Sequence, residues 1–178
     1  MIAELKLLYE ALEMKRQNLF DLIYMLSADQ TTFRIGPGGW SIQMHLEHVV
    51  IAEELIAADM RRQNTEGAAN LPAKSPPAFQ MVMQALEKDI VVGVPLPELE
   101  PTGQVPLEEL IIRWEKARTE LKRIAESIPA ARLKTPVCRH PVAGPLDARE
   151  TLEFLLVHLD HHRRYIQRTR DAFAHRPV

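Results

Sequence analysis

Leu107, Leu110, Trp114, Ala117, Leu121, Ile124 and Ile128 follow one another in alternating steps of three and four. That period is helical, and its regularity is the signature of a helix packed in a bundle. It is the cleanest pattern in the chain and predicts a helix over about 106–128. Pro106 suits the first turn of that helix, and Pro129 ends it.

The same period recurs elsewhere. Leu5, Leu8, Leu12, Leu19, Leu22 and Leu26 share one stripe and predict a first helix over about 2–27, interrupted on that stripe by Lys15. Gly36, Pro37, Gly38 and Gly39 then stop any helix. Ser41 is placed to cap a second helix running to about residue 63, with Met44, His48, Ala52 and Leu55 facing inward and His45 and Ile51 beside them. A shorter helix is expected at about 78–90, carrying Phe79, Val82, Met83, Leu86 and Ile90. Asp147 and Glu150 stand three apart, as in a capping box, and start a last helix whose stripe is Leu152, Leu155, Leu159 and Ile166. Three proline-rich connections, at 64–78, 93–106 and 129–146, separate these segments, and no run shows strand alternation. The expected fold class is all-α: four long helices in a bundle, one extra short helix and long Pro-rich loops, as a single domain over 1–178.

Composition bounds the function. Hydrophobic residues make up 46% and charged residues 26%, the balance of a globular protein. Lys and Arg number 22 against 24 Asp and Glu, a formal charge of −2. Such a balance gives no electrostatic reason to expect nucleic acid or an anionic membrane as partner. No apolar run approaches the ~20 residues of a membrane helix. The segment MIAELKLLYEALEMKRQ is charged throughout and lacks a signal-peptide core. The lone Cys138 excludes an intramolecular disulfide and is compatible with a reducing compartment, so a cytoplasmic location is expected.

The residues that point to chemistry are histidines. His158 and His162 are four apart in HLDHHRR, so both project from one helical face and can reach one metal ion. Their neighbours on that face are leucines, and a buried imidazole there needs a hydrogen bond or a metal. His48 lies on the inward stripe of the second helix. Three imidazoles from two helices would make a site with an open position for water or substrate. Neutral imidazole suits Zn²⁺, Ni²⁺, Cu²⁺ or Fe²⁺, with zinc and nickel foremost here. Hydrogen-bonded core histidines are the competing reading. His45 is expected beside the site or at the surface, with ligation as its alternative. His161 is expected in solvent, and Asp160 and Arg164 on a charged outer face.

Other candidates carry weaker signals. Cys138 reads as a small packed residue, although it could approach the site. His140 with Pro141 reads as fixing its loop through backbone hydrogen bonds. Trp40 reads as a core anchor at the start of the second helix, and Trp114 as core. Arg163 and Arg164 read as solvated or ion-paired, and Tyr165 is one turn from His162.

Two segments resemble one known family. GGWSIQMHLEHVVIAEE is similar to the front motif of the DinB-like superfamily, matching as Trp40, Ser41, His48 and Glu53. RHPVAGPLDARETLEFLLVHLDHHRRYIQR is similar to its closing motif, matching as His140, Pro141, Gly144, His158, His162 and Arg163. His48 and His158 stand about 110 residues apart, room for intervening helices of a bundle. The resemblance implies up-down-down-up helix connectivity, a homodimer, and a divalent metal held by His48, His158 and His162. Members include thiol S-transferases, a thiol-dependent isomerase and proteins described as metal-dependent hydrolases. The resemblance therefore implies a small-molecule thiol and an electrophilic substrate as partners, with a hydrolase or a non-catalytic metal-binding dimer as alternatives. Met44 departs from the pattern, since relatives often carry Glu or Gln there.

Overall fold

A computed structural model describes residues 1–66, 75–90 and 93–176. The central part of the expected 64–78 loop, at 67–74, lies outside the described residues. Among those described are six α-helices and one two-stranded antiparallel sheet. They run in the order α1 (Ala3–Ile23), α2 (Ala28–Thr32), α3 (Ile42–Glu66), α4 (Pro76–Glu87), α5 (Leu107–Ser127), β1 (Pro136–His140), β2 (Gly144–Asp147) and α6 (Ala148–Ala174). No helix among them is long and apolar enough to cross a membrane.

The expected first helix stops four residues early, and a short helix that was not expected follows it. α1 ends at Ile23, and Ser27 opens the five-residue α2. Ser27 Oγ accepts from Gln30 N while Gln30 Oε1 accepts from Ser27 N, so two of the free amides of the turn are satisfied reciprocally. Leu5, Leu12 and Leu19 are fully buried along α1, with Leu8, Leu22 and Leu26 partly buried beside them. Lys15 is neither gap nor loose stem, because its ammonium pairs with Asp160 of α6.

α3 starts where Ser41 predicts, its hydroxyl accepting from the amide of Met44 at 3.2 Å. Its first turns are buried on several sides at once: Ile42, Met44, His45, Leu46, Glu47, His48, Val49 and Val50 are all buried. Leu55 departs from the expected stripe and is 41% exposed, while Ala57 and Met60 are buried. α4 begins two residues before its expected start, with prolines in its first turn where no amide is needed. Of its expected stripe Leu86 is buried, Phe79, Val82 and Met83 are partly buried against the core, and Ile90 lies beyond the helix and is exposed. α5 keeps its predicted limits within a residue and buries Leu110, Trp114, Ala117, Leu121 and Ile124.

α3 packs against α5 and α6, and α6 packs against α1 and α4. α1 also meets α5, where the Phe20 ring stands edge-on to Trp114 with centroids 5.3 Å apart.

The expected 129–146 loop holds a β-hairpin, which corrects the expectation of no strands. Cys138 faces Leu146 and His140 faces Gly144, with a bulge near Val137. Pro136, Pro141 and Pro145 conceal it in the sequence. A two-stranded sheet has only edge strands, and an edge strand tolerates proline. Val137, Cys138, Ala143 and Leu146 are buried under it. His140 closes the turn as expected, its Nδ1 accepting from the amides of Val142 at 3.1 Å and Ala143 at 2.9 Å. The hairpin delivers Asp147 to the start of α6. There Asp147 accepts from Glu150 N at 3.0 Å and Glu150 accepts from Asp147 N at 2.9 Å, completing the capping box. The start of α6 is thereby set, and with it the level at which His158 and His162 face α3.

Candidate metal centre

His48 projects from the second turn of α3, and His158 and His162 from successive turns of α6. All three are buried, with relative exposures of 7%, 6% and 5%. Their Nε2 atoms converge. His158 Nε2 stands 3.2 Å from His48 Nε2 and 3.0 Å from His162 Nε2. One ligand atom from each lies within 4.8 Å of the other two. These three buried histidines could hold a metal ion.

The chemistry of the donor set fits such an ion. The Leu99 carbonyl can only accept, so His48 Nδ1, 2.8 Å away, carries the ring hydrogen and leaves Nε2 as a bare lone pair. His158 Nε2 faces both this nitrogen and His162 Nε2, and a single ring hydrogen on it could serve only one of them fully. Protonation would fill the gap, but burial opposes it. Burial pushes the pKa of His158 and His162 well below the ordinary value, and the neighbouring histidines push the same way. For His48 burial again outweighs the opposing Leu99 hydrogen bond. Three neutral imidazoles therefore bring their Nε2 atoms together, that of His48 as a lone pair. Nitrogens bound to one ion at about 2.0–2.1 Å stand about 2.9–3.4 Å apart at octahedral to tetrahedral angles, and two of the separations here already match.

A layer of side chains holds the three rings. His45, one turn before His48, places its Nδ1 3.0 Å from His162 Nδ1. With His162 Nε2 turned to the centre, its Nδ1 is free to donate to His45, a contact that fixes tautomer and ring plane. His45 is thus buried beside the site and supports a candidate ligand, and burial lowers its pKa to about 3. Trp40 is not a core anchor but a half-buried ring laid on the cluster, with its centroid 5.1 Å from His48, 5.3 Å from His45 and 6.2 Å from His162. Phe154 stacks on His158 at 5.3 Å, and Tyr165 on His45 at 5.5 Å.

Some expectations change. His161 is buried rather than solvated, because α4 covers it: its Nδ1 donates to the Leu86 carbonyl at 3.0 Å and lies 3.4 Å from Asp89. Arg164 is ion-paired to the same Asp89 at 2.6 Å and also donates to Leu86 O, so it faces α4. Arg163 pairs loosely with Asp160 at 3.6 Å. Cys138 is packed in the hairpin, where burial pushes its thiol up and away from thiolate character. Two acidic residues carry more structure than the sequence signalled. Glu53 is buried against Arg118, and Glu47 holds the segment before α5.

Six histidines, at 45, 48, 140, 158, 161 and 162, have pKa values lowered by burial, those of His45 to about 3 and of His140 to about 4. A histidine with a folded pKa below its unfolded value of about 6.5 binds more protons when unfolded, so it withdraws stability as pH falls below 6.5. The metal-free protein is expected to lose stability between pH 6.5 and 5, with His45 and His140 each contributing on the order of 1 kcal/mol or more. That window lies above the range in which carboxylates titrate. Urea midpoints in the presence of a chelator at pH 7.5, 6 and 5 measure the loss. Equal midpoints at all three would show that these rings are hydrated in the folded state.

A mostly helical protein with a buried histidine triad able to take one metal ion is the class that fold and site define. The chain belongs to the DinB superfamily, whose family model matches residues 11–166. Searches of curated proteins and of solved structures return no match.

Proposed function

We propose that His48, His158 and His162 are the ligands of one divalent transition metal, zinc or nickel, and that the protein is a metal-dependent transferase carrying a low-molecular-weight thiol onto an electrophile. The observation that carries this reading is the convergence of three buried Nε2 atoms, that of His158 standing 3.2 Å from His48 and 3.0 Å from His162, with His48 already committed through Nδ1 to a carbonyl. An ion bound by three protein ligands supplies a further position at which a thiol loses its proton at neutral pH. The protein's own part is to hold the rings and exclude water. Leu99 O orients His48, and His45 orients His162. The half-buried Trp40 ring offers an apolar surface against which the carbon part of an electrophile can lie. The buried carboxylates of α3 are engaged elsewhere, Glu47 with Thr102 and Gly103 and Glu53 with Arg118. Chemistry that needs no general base is therefore favoured over hydrolysis.

The same reading includes the up-down-down-up four-helix bundle formed by α1, α3, α5 and α6. Pairs between α1 and α6 rise together, Glu4 with Arg149 and Lys15 with Asp160. Pairs between α3 and α5 also rise together, Glu54 with Arg113 and Asn64 with Ser127. Pairs between α3 and α6 run oppositely, His45 with His162 and His48 with His158. A homodimeric, cytoplasmic, single-domain protein completes the proposal on the family resemblance.

The test is a matrix of thiols (cysteine, glutathione, bacillithiol, mycothiol) against alkyl-halide and epoxide electrophiles, with zinc- or nickel-loaded protein and product read by mass spectrometry. Adduct formation with one thiol, absent in His→Ala variants of the triad, is the expected result. No thiol adduct above the variants' background would overturn the transferase reading, and turnover of esters under the same conditions would replace it with hydrolysis.

A further inference from the structure

The segment before α5 is fastened to the first turns of α3 by hydrogen bonds that leave little freedom. Glu47 is 1% exposed, and each of its carboxylate oxygens takes a donor. Oε1 accepts from the Thr102 hydroxyl at 2.8 Å, and Oε2 from the Gly103 amide at 2.7 Å. One turn earlier, Gln43 Nε2 donates to the Val105 carbonyl at 2.6 Å. Gly103 has φ +70°, and a Cβ there would stand 3.0 Å from Met44 Cγ, so the strap lies close against the helix. A few residues earlier, the same strap carries the Leu99 carbonyl that accepts from His48 Nδ1 at 2.8 Å.

We propose that Glu47 is a positioning residue for the metal centre, acting through the strap it holds: it keeps the Leu99 carbonyl where it selects the Nδ1–H form of His48 and turns Nε2 toward His158. This rests on the reading of His48 as a ligand. A carboxylate suits the task because it accepts two bonds and donates none, matching an amide and a hydroxyl that both need acceptors. Its direction is also suited, since the residue beside His48 in sequence turns away from the histidines and reaches the strap instead. With the strap loose, the His48 ring is free to flip, and a ligand that must be reorganised binds more weakly.

The experiment measures zinc affinity by competition with a chromophoric chelator, together with the long-range proton–nitrogen NMR spectrum of the metal-free imidazoles. Glu47→Ala is expected to weaken zinc binding about 10-fold, the low end of the effect of losing a direct partner of a ligand, because the Leu99 carbonyl is displaced and not removed. It is also expected to mix the two tautomers of His48. Glu47→Gln, which keeps an acceptor for Gly103 and can donate to the Thr102 hydroxyl, should recover most of the affinity. Glu54→Ala breaks the Arg113 pair on the same helix and should lower stability while leaving both readouts unchanged. If Glu47→Ala does not fold, Gly103→Ala displaces the same strap and carries the same expectation. Zinc binding by the wild type with affinity and tautomer unchanged in these variants overturns the role of Glu47 alone. A wild type that binds neither zinc nor nickel overturns the metal reading, and this role with it.

Discussion

Replacing His158 with alanine is expected to weaken zinc binding on the order of 100- to 1,000-fold, a four-ligand zinc site being worth about 10–16 kcal/mol, or roughly 2.5–4 per ligand. His48→Ala and His162→Ala should behave alike, because each of the three converging histidines would supply one bond to the ion. His45→Ala should cost less, about 10- to 100-fold, since His45 contacts a candidate ligand and does not face the convergence itself. The order of the four variants is therefore the informative quantity. Metal content by mass spectrometry, affinity by chelator competition and the thermal shift on adding zinc all read it. The wild type should gain about 2.7 kcal/mol at a zinc concentration 100 times its Kd, and the triad variants at that concentration much less. Circular dichroism should show all of them helical, because the stripes that build the helices are elsewhere. Stoichiometric zinc retained by all three triad variants would sink the assignment, and a His45→Ala defect as deep as theirs would make His45 a ligand.

Arg118→Ala is expected to destabilise the protein by about 3–5 kcal/mol, the usual cost of leaving a buried charge without its partner. Arg118 is 1% exposed in the middle of α5. Its guanidinium binds Glu53 in a two-pronged contact, with one bond of 2.7 Å, and reaches Glu13 of α1 at 2.9 Å. Burial opposes its charge, but Glu53 and Glu13 outweigh burial and hold the guanidinium protonated. The Trp114 ring lies beneath it at 5.5 Å. Removing Arg118 strands the Glu53 carboxylate, whose side chain is 2% exposed, among apolar groups. The stranded carboxylate then has a folded pKa above its unfolded one, so it binds protons more readily when folded and regains stability as pH falls. The deficit against wild type should accordingly shrink from pH 7 to pH 5. Replacing both partners with apolar residues, Arg118→Met with Glu53→Leu, should cost far less than Arg118→Ala alone. Urea denaturation of the three proteins decides it: a deficit under about 1 kcal/mol at pH 7 would mean that water reaches the pair.

The polar side chains were the least legible part of the chain, and they failed for one reason. His161 sits where a helical wheel puts a solvent face, Arg118 is a charged residue at the edge of the α5 stripe, and both are buried. Their burial depends on groups from other segments, α4 for His161 and Glu53 with Glu13 for Arg118. Glu47 gave no signal because its partners, Thr102 and Gly103, lie about 55 residues on in a proline-rich connection. The hairpin was hidden by the same means, since its strands are short and proline-bearing. Trp40 was misplaced because its hydrophobicity predicts burial but not what the ring lies upon.

Local order was readable from the residues. The helix period in α1, α3, α5 and α6, the Ser41 and Asp147 caps, and the pairing of His158 with His162 on one face all follow from interactions within four residues, which a sequence displays directly. The tertiary structure alone decided that His48 meets that pair at 3.2 Å, that His45 and Leu99 orient the rings, and that charges lie paired inside the core. A buried polar group is tolerated only when a partner reaches it, and here the partners come from parts of the chain that packing, not sequence distance, brings together.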